Sequence, residues 1–249
     1  MDLDLKIGED LLVDGPASFE VVRGRAEVLG RVLSEGSRAV VRRGKRLPMT
    51  ALEECLIRLR LGDFASCLRT EGSIPTSWRE AAQTVIRERW SPVMVMGPAD
   101  SGKSSLCTYL CNRATREGIR VGVIDEDIGQ SDIGPPGTIG LAVVEEGIID
   151  LYDTEPIALM FVGTKTPSTA TLSTFRASEA LLRRVMDRGV ELLIVNTDGW
   201  VSGEEARAHK RRLIDIFDPG VVIMLGRGRG LNRSTSGMRG GSLWTRPVP

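Results

Sequence analysis

The stretch Gly97-Pro98-Ala99-Asp100-Ser101-Gly102-Lys103-Ser104 constrains this chain more than any other, because it fits GxxxxGK[ST] between two apolar flanks. Pro92 to Met96 reads as a short buried strand, and Ser105 to Cys111 reads as the opening of a helix. Glycines at 97 and 102 let the backbone curl around an anion with successive N–H groups pointing inward, and the helix dipole adds partial positive charge at the same place. Lys103 can then reach β and γ phosphates, the Ser104 hydroxyl can ligate Mg²⁺, and Ser105 completes the cradle. The motif, a Walker A phosphate loop, predicts a nucleoside triphosphate site in an α/β fold.

A second segment follows. Val121-Gly122-Val123-Ile124 is a β-branched run ending in Asp125-Glu126-Asp127, and then comes Ile128-Gly129-Gln130-Ser131-Asp132-Ile133-Gly134-Pro135-Pro136-Gly137-Thr138. Parallel strands in α/β folds deliver functional groups at their carboxyl ends. Alternation puts residues 125 and 127 on one face, where both can approach one Mg²⁺ or one attacking hydroxyl. A solvated acidic turn is the plainer alternative.

The strand and helix patterns extend around these motifs. Strands are predicted at 92–96, 120–125, 191–196 and 220–225, alternating with helices at 104–117, 169–188 and 204–216. That order predicts a parallel sheet with helices on both faces, over residues 90–226. Upstream, short apolar alternations separated by Asp14-Gly15-Pro16, Arg23-Gly24, Glu35-Gly36 and Arg43-Gly44 predict a small β module over residues 1–60. Residues 51–73 read as helical or irregular, and a helical linker is expected over 61–89, with a helix from Trp78 to Glu88. The Gly, Arg, Ser and Pro content of residues 227–249 predicts a disordered tail.

Together, GPADSGKSS, DEDIGQSDIGPPGT and Thr197-Asp198-Gly199-Trp200 resemble the polynucleotide 5′-hydroxyl kinases. This P-loop family includes the kinase subunit of the pre-mRNA cleavage factor, the kinase of ribosomal RNA spacer processing, and archaeal homologues. The motifs span residues 97–200, and the Asp-Gly-Pro turn with its following strand also resembles the N-terminal β domain of the archaeal kinases. The resemblance implies ATP-dependent, Mg²⁺-assisted phosphorylation of the 5′-hydroxyl end of RNA, or of DNA, with RNA-processing proteins as partners. It implies that Asp127 activates the hydroxyl and helps hold the metal, that Asp125 supports it, and that Gln130 lies beside metal and phosphates. Thr197, Gly199 and Trp200 match a clasp over the phosphate loop and substrate. Trp200 can stack on a terminal base, an interaction worth about 1–3 kcal/mol, or it can simply cap the apolar core after the strand at 192–195. Thr164 to Ser168 resembles a substrate-side loop in which Thr166 can meet a backbone phosphate.

The family continues into a lid whose arginines close over the triphosphate. Arg227, Arg229 and Arg233 are the candidates here, and their spacing does not choose among them; the ending reads as truncated relative to the family. The basic glycine run is either an RNA-touching segment or a solvated tail. His209, among Arg207, Lys210, Arg211 and Arg212, reads as a surface residue on an exposed helix, and the basic cluster either contacts RNA phosphates or is a solvated face.

Composition sets the outer bounds. In 249 residues, 33 basic against 33 acidic side chains leave no net charge, so contact with nucleic acid must come from a local patch. The cysteines at 55, 67, 107 and 111 lack the CxxC spacing of a zinc site, and no leader or long apolar span stands out. A cytoplasmic protein with reduced thiols and no membrane contact is expected. Besides the kinase, two readings remain: an ATP-binding scaffold of weak or no activity in an RNA-processing complex, and a P-loop NTPase acting on a small acceptor.

Overall fold

The structure, a computed structural model, describes residues 1–226 and the backbone of 242–244. The chain divides into two compact units, one of Met1–Arg79 and one from Glu80 onward.

The N-terminal unit is built of strands: β1 (Asp2–Leu5), β2 (Asp10–Asp14), β3 (Ala17–Arg23), β4 (Ala26–Val28), β5 (Arg31–Leu33), β6 (Arg38–Val41), β7 (Arg46–Ala51), β8 (Cys55–Leu61) and β9 (Cys67–Thr70). They form antiparallel sheets of order β1-β8-β3-β6 and β5-β4-β7-β2-β9. Strands β3 and β8 bury alternate residues, as a half-buried pleated sheet requires: Ala17, Phe19 and Val21 on β3, and Cys55, Ile57 and Leu59 on β8.

This corrects the expectation for residues 51–73 and for the helical linker at 61–89. Residues 55–61 and 67–70 are strands, and only Thr76–Glu88 is helix (α1). Cys55-Leu56-Ile57-Arg58-Leu59-Arg60-Leu61 alternates with period two, and the arginines point outward while the apolar residues fill the core. The β module therefore runs past residue 60.

The division between the units falls inside α1. The second unit continues with β10 (Val93–Met96), α2 (Lys103–Thr115), β11 (Val121–Asp125), β12 (Thr138–Val144), β13 (Pro156–Phe161), α3 (Thr171–Met186), β14 (Leu192–Asn196), α4 (Glu204–Phe217), β15 (Val221–Met224) and β16 (Ser242–Trp244). The sheet order is β13-β12-β11-β14-β10-β15-β16. Strands β11, β14, β10, β15 and β16 run parallel, whereas β12 and β13 are antiparallel to their neighbours. The expected parallel strands thus form the centre of the sheet, and β12 and β13 extend it into a mixed one. The connection from Glu126 to Gly137 contains no helix, and the chain leaving β11 doubles back beside it.

Side chains from α3 and α4, among them Ala177, Leu181, Val185, Leu213 and Phe217, share one core with Met94, Met96, Ile124, Leu193 and Val195. The intervening strand residues Val93, Val95, Val123 and Ile194 are equally buried, and α2 runs against β10, β11 and β14. Burial on both faces explains why these strands read as continuous apolar runs. Cys107 and Cys111 are buried on α2, and all four cysteines are free thiols. Most of the tail expected to be disordered lies outside the described residues; at 242–244 the backbone is strand β16. Among the described residues no helix is long and apolar enough to cross a membrane.

Candidate active site

Three strand ends build the site. Strands β10, β11 and β14 lie side by side and parallel, so the loops after Met96, Asp125 and Asn196 leave the sheet at the same edge.

The loop after β10 carries the phosphate-binding motif. Gly97 is buried, and a Cβ there would stand 2.5 Å from Leu225 O and 2.7 Å from Ser101 Oγ, so no larger residue fits. Pro98, Ala99, Asp100 and Ser101 arch over to Gly102, whose φ of 90° is left-handed. Gly102 is the N-cap of α2 and supplies no capping side chain. The first amides of α2, including those of Lys103, Ser104 and Ser105, therefore keep their partial positive charge for a ligand. Ser101 Oγ is buried without a hydrogen-bond partner among the described residues. An uncapped helix start beside an orphaned hydroxyl fits a phosphate group. Lys103 is buried and donates from Nζ to Pro98 O at 2.8 Å, folding back over the loop. Burial lowers its pKa, and the nearby Asp127 carboxylate partly offsets this.

The loop after β11 is organised by its own acids. Asp125 is fully buried and accepts five hydrogen bonds: Oδ1 from Asp127 N (3.2 Å) and Asn196 Nδ2 (2.9 Å), and Oδ2 from Asp132 N (2.6 Å), Ile133 N (3.2 Å) and Ser131 Oγ (3.3 Å). Burial pushes its carboxyl up to about 6 despite the backbone amides that favour the charged form. With both oxygens committed, Asp125 is positioned as an organiser of the loop. Asp127 differs. Its Oδ1 accepts from Gly129 N (3.2 Å) and Gln130 N (2.9 Å), and Oδ2 has no hydrogen-bond partner among the described residues. Burial raises its pKa, and the Gln130 amide opposes that shift.

Gln130 is exposed, and its backbone N–H, not its side chain, makes the contact with Asp127. The loop holding Thr166 is brought close to the same turn, because a Cβ on Gly129 would lie 3.1 Å from Lys165 O. Thr166 itself is exposed, with its N–H bonded to Thr164 Oγ1 at 3.1 Å.

The loop after β14 lies on the phosphate loop. A Cβ on Gly199 would meet Ala99 N at 2.6 Å and Ala99 Cα at 2.8 Å, so the two backbones pack directly. Thr197 is buried and donates from Oγ1 to Val95 O at 2.9 Å. Asp198 accepts the Trp200 N–H on Oδ1 at 2.7 Å, an Asx turn that fixes Trp200, which is half-buried.

Sequence reasoning missed several residues here. Asn196 donates from Nδ2 to Ser104 Oγ at 3.4 Å as well as to Asp125, linking the candidate metal ligand to the β11 loop. Its position at the end of a buried strand was the available signal. His209 is a correction: it is not a surface residue but is 2% exposed, in contact with the rings of Phe175 (centroids 5.1 Å apart) and Trp200 (5.5 Å). Lys210 is buried too, and its Nζ lies 2.8 Å from Asp198 Oδ2. Only Arg207, Arg211 and Arg212 of that basic cluster are exposed. The lid candidates Arg227, Arg229 and Arg233 lie outside the described residues.

Among the described residues no three His, Cys, Asp or Glu side chains are grouped to hold a metal ion. Mg²⁺ asks for less, since it is ordinarily held by one or two protein oxygens with phosphates and water. Ser104 Oγ and Asp127 Oδ2 are oxygens of that kind.

Comparison with known proteins follows the same residues. The family model described as mRNA cleavage and polyadenylation factor CLP1 P-loop matches residues 97–242. A polyribonucleotide 5′-hydroxyl-kinase of Methanocaldococcus jannaschii is 33% identical over 149 residues, covering 59% of this chain and 41% of that protein. A CLP1 homolog of Brugia malayi is 29% identical over 238 residues, covering 86% of this chain and 54% of its own length. The chain thus spans about half the length of these curated relatives. Clp1p, solved in complex with Pcf11p, superposes with a TM-score of 0.77 at 18% identity, over 94% of this chain and 62% of that one. At that identity the likeness speaks to the fold. The matched family model covers more than half of the chain and includes the phosphate loop, the Asp127 loop and the Trp200 loop, so the chain belongs to the CLP1 P-loop family.

Proposed function

We propose that this chain transfers the γ-phosphoryl group of ATP, with Mg²⁺, to the 5′-hydroxyl end of RNA, or of DNA. The observation that carries the reading is the convergence, at one edge of the sheet, of Lys103 at the uncapped start of α2 and Asp127 after β11, whose Oδ2 has no hydrogen-bond partner among the described residues. The names of the archaeal relatives, polyribonucleotide 5′-hydroxyl-kinases, support the choice of acceptor.

In-line phosphoryl transfer asks the protein mainly for alignment and charge neutralisation. The amides of Gly102 to Ser105 and the Lys103 ammonium are suited to hold the triphosphate, and Ser104 to hold Mg²⁺, which leaves Asp127 Oδ2 for the acceptor hydroxyl. When bound, Mg²⁺ neutralises charge on the β and γ phosphates. Asp127, pinned through Oδ1, offers Oδ2 to the acceptor hydroxyl and takes its proton as that oxygen bonds to the γ-phosphorus and the bond from phosphorus to the β–γ bridging oxygen breaks, releasing ADP. Asp125 and Asn196 act by holding the Asp127 loop and Ser104 in register.

The test is transfer of labelled γ-phosphate from ATP to a short 5′-hydroxyl RNA, beside a 5′-phosphorylated control and Lys103→Ala. Label only on the hydroxyl RNA, and only with Lys103 present, is the expected result. Measurable ATP binding without transfer would favour a nucleotide-holding scaffold. That second reading has one observation behind it: the structural relative Clp1p was solved bound to a protein, Pcf11p.

A further inference from the structure

Behind the Trp200 loop lies a group of buried charges that phosphoryl transfer does not itself need. Lys210 Nζ lies 2.8 Å from Asp198 Oδ2 and donates to Asp198 O at 3.1 Å, so one ammonium grips both the side chain and the backbone of the residue before Gly199. The Lys210 side chain is 9% exposed and that of Asp198 4%. Burial alone would raise the Asp198 carboxyl, but His209, Lys210 and the Trp200 amide together bring it down to about 2, which keeps it ionised. His209 sits 3.6 Å from Asp198 Oδ2, stacks on Phe175 and packs at a tilt against the Trp200 indole.

Desolvating such a pair is costly, and well-packed apolar residues often do as well or better for stability alone. A stability role therefore explains the pair poorly. What the geometry does provide is direction. Asp198 has two oxygens: Oδ2 takes Lys210 and Oδ1 takes the Trp200 N–H, while the next residue, Gly199, rests on the backbone of Ala99 in the phosphate loop.

We infer that Lys210 is a positioning residue for the substrate: acting through Asp198, it holds Gly199 against Ala99 and presents Trp200, backed by His209, to the acceptor end of the nucleic acid. The inference rests on the proposed kinase reading for its substrate, but the loop it describes can be measured without turnover. The acceptor group engaged is the terminal base, whose π-face suits an indole whatever the sequence.

The experiment uses the full chain with Lys210→Met and with the double variant Asp198→Asn/Lys210→Met. The first leaves a buried carboxylate unpaired; the second removes both charges while Asn keeps an oxygen for the Trp200 amide. Hydrogen exchange of residues 197–203, melting temperature, Mg·ATP affinity, and kcat and KM for a 5′-hydroxyl RNA are read for each. In both variants exchange over 197–203 should quicken about tenfold. KM for RNA should rise about tenfold, with kcat and Mg·ATP affinity within about threefold of wild type. The melting temperature should fall in the single variant and recover in the double. Unchanged exchange in either variant overturns the inference, as does exchange that recovers together with the melting temperature, because the pair would then be merely structural. A wild-type chain that transfers no phosphate refutes the kinase reading instead, and the exchange result still decides the role of Lys210.

Discussion

In the N-terminal unit, Arg46 meets Asp14 at 2.6 Å and Arg25 meets Glu53 at 3.0 Å, with the arginine side chains 63% and 56% exposed. In the second unit, Lys210 meets Asp198 at a similar 2.8 Å with both side chains nearly sealed from water. The distances match, yet the consequences do not. Water screens the first kind, so the pairs decorate antiparallel strands that alternation already holds in register. In the second kind each charge depends on its partner, and those partners are the loops that build the site.

Several experiments can break or sharpen that contrast. Lys210→Met should cost about 3–5 kcal/mol of stability, the range for orphaning one partner of a buried pair, as read by chemical denaturation. A loss below about 1 kcal/mol would place the pair with the surface ones. Asp127→Asn should leave Mg·ATP binding intact and lower turnover at saturating RNA at least about a hundredfold, about 2.7 kcal/mol of transition-state stabilisation. Wild-type turnover in that variant would remove Asp127 from the base role.

Glu126 tests the same contrast through pH. It is 1% exposed and among the described residues neither carboxylate oxygen has a hydrogen-bond partner, since the Ser178 hydroxyl donates to Thr174 O instead. Burial pushes its carboxyl from 4.5 to about 8. Between those values the folded chain keeps a proton that the unfolded chain has lost, so stability falls as pH rises, by up to about 1.4 kcal/mol per pH unit. Asp125, pushed up to about 6, adds the same sign lower in the range, so the informative comparison is with Glu126→Gln. In metal-free protein the variant should melt higher than wild type at about pH 8 and match it near pH 4.5. Parallel melting curves for the two proteins across that window would contradict the assignment. The smallest effect belongs to the exposed pair: Arg46→Gln should cost less than about 1 kcal/mol, and less still in high salt. A larger loss would mean that Asp14, which also accepts from Ser66 Oγ at 2.7 Å, organises its turn and is more than surface charge.

Much of the second unit was legible before any coordinates. The predicted strand at 92–96 is β10 at Val93–Met96, and the helix at 204–216 is α4 at Glu204–Phe217, because buried parallel strands and amphipathic helices leave strong local patterns. Strands β12 and β13 fall outside the predicted elements: Ile139 to Val144 is a short apolar run, and periodicity alone does not separate a buried strand from a helix segment there. His209 and Lys210 go against composition. Chargeable side chains ordinarily face solvent, yet their spacing with Ala206, Leu213 and Phe217 is that of the buried stripe of α4.

The sequence by itself determined the phosphate loop, its flanking strand and helix, and the identity of the acids at the end of β11, since each depends on residues near one another in the chain. Only the tertiary structure decided which acid is free. Asp125 is consumed by amides and by Asn196 from another strand, Asp127 keeps Oδ2 unbonded among the described residues, and Asp198 is paired by a lysine from a helix one loop further on. The physical reason is that burial makes a charge depend on partners brought by other elements, and no local pattern records who they are.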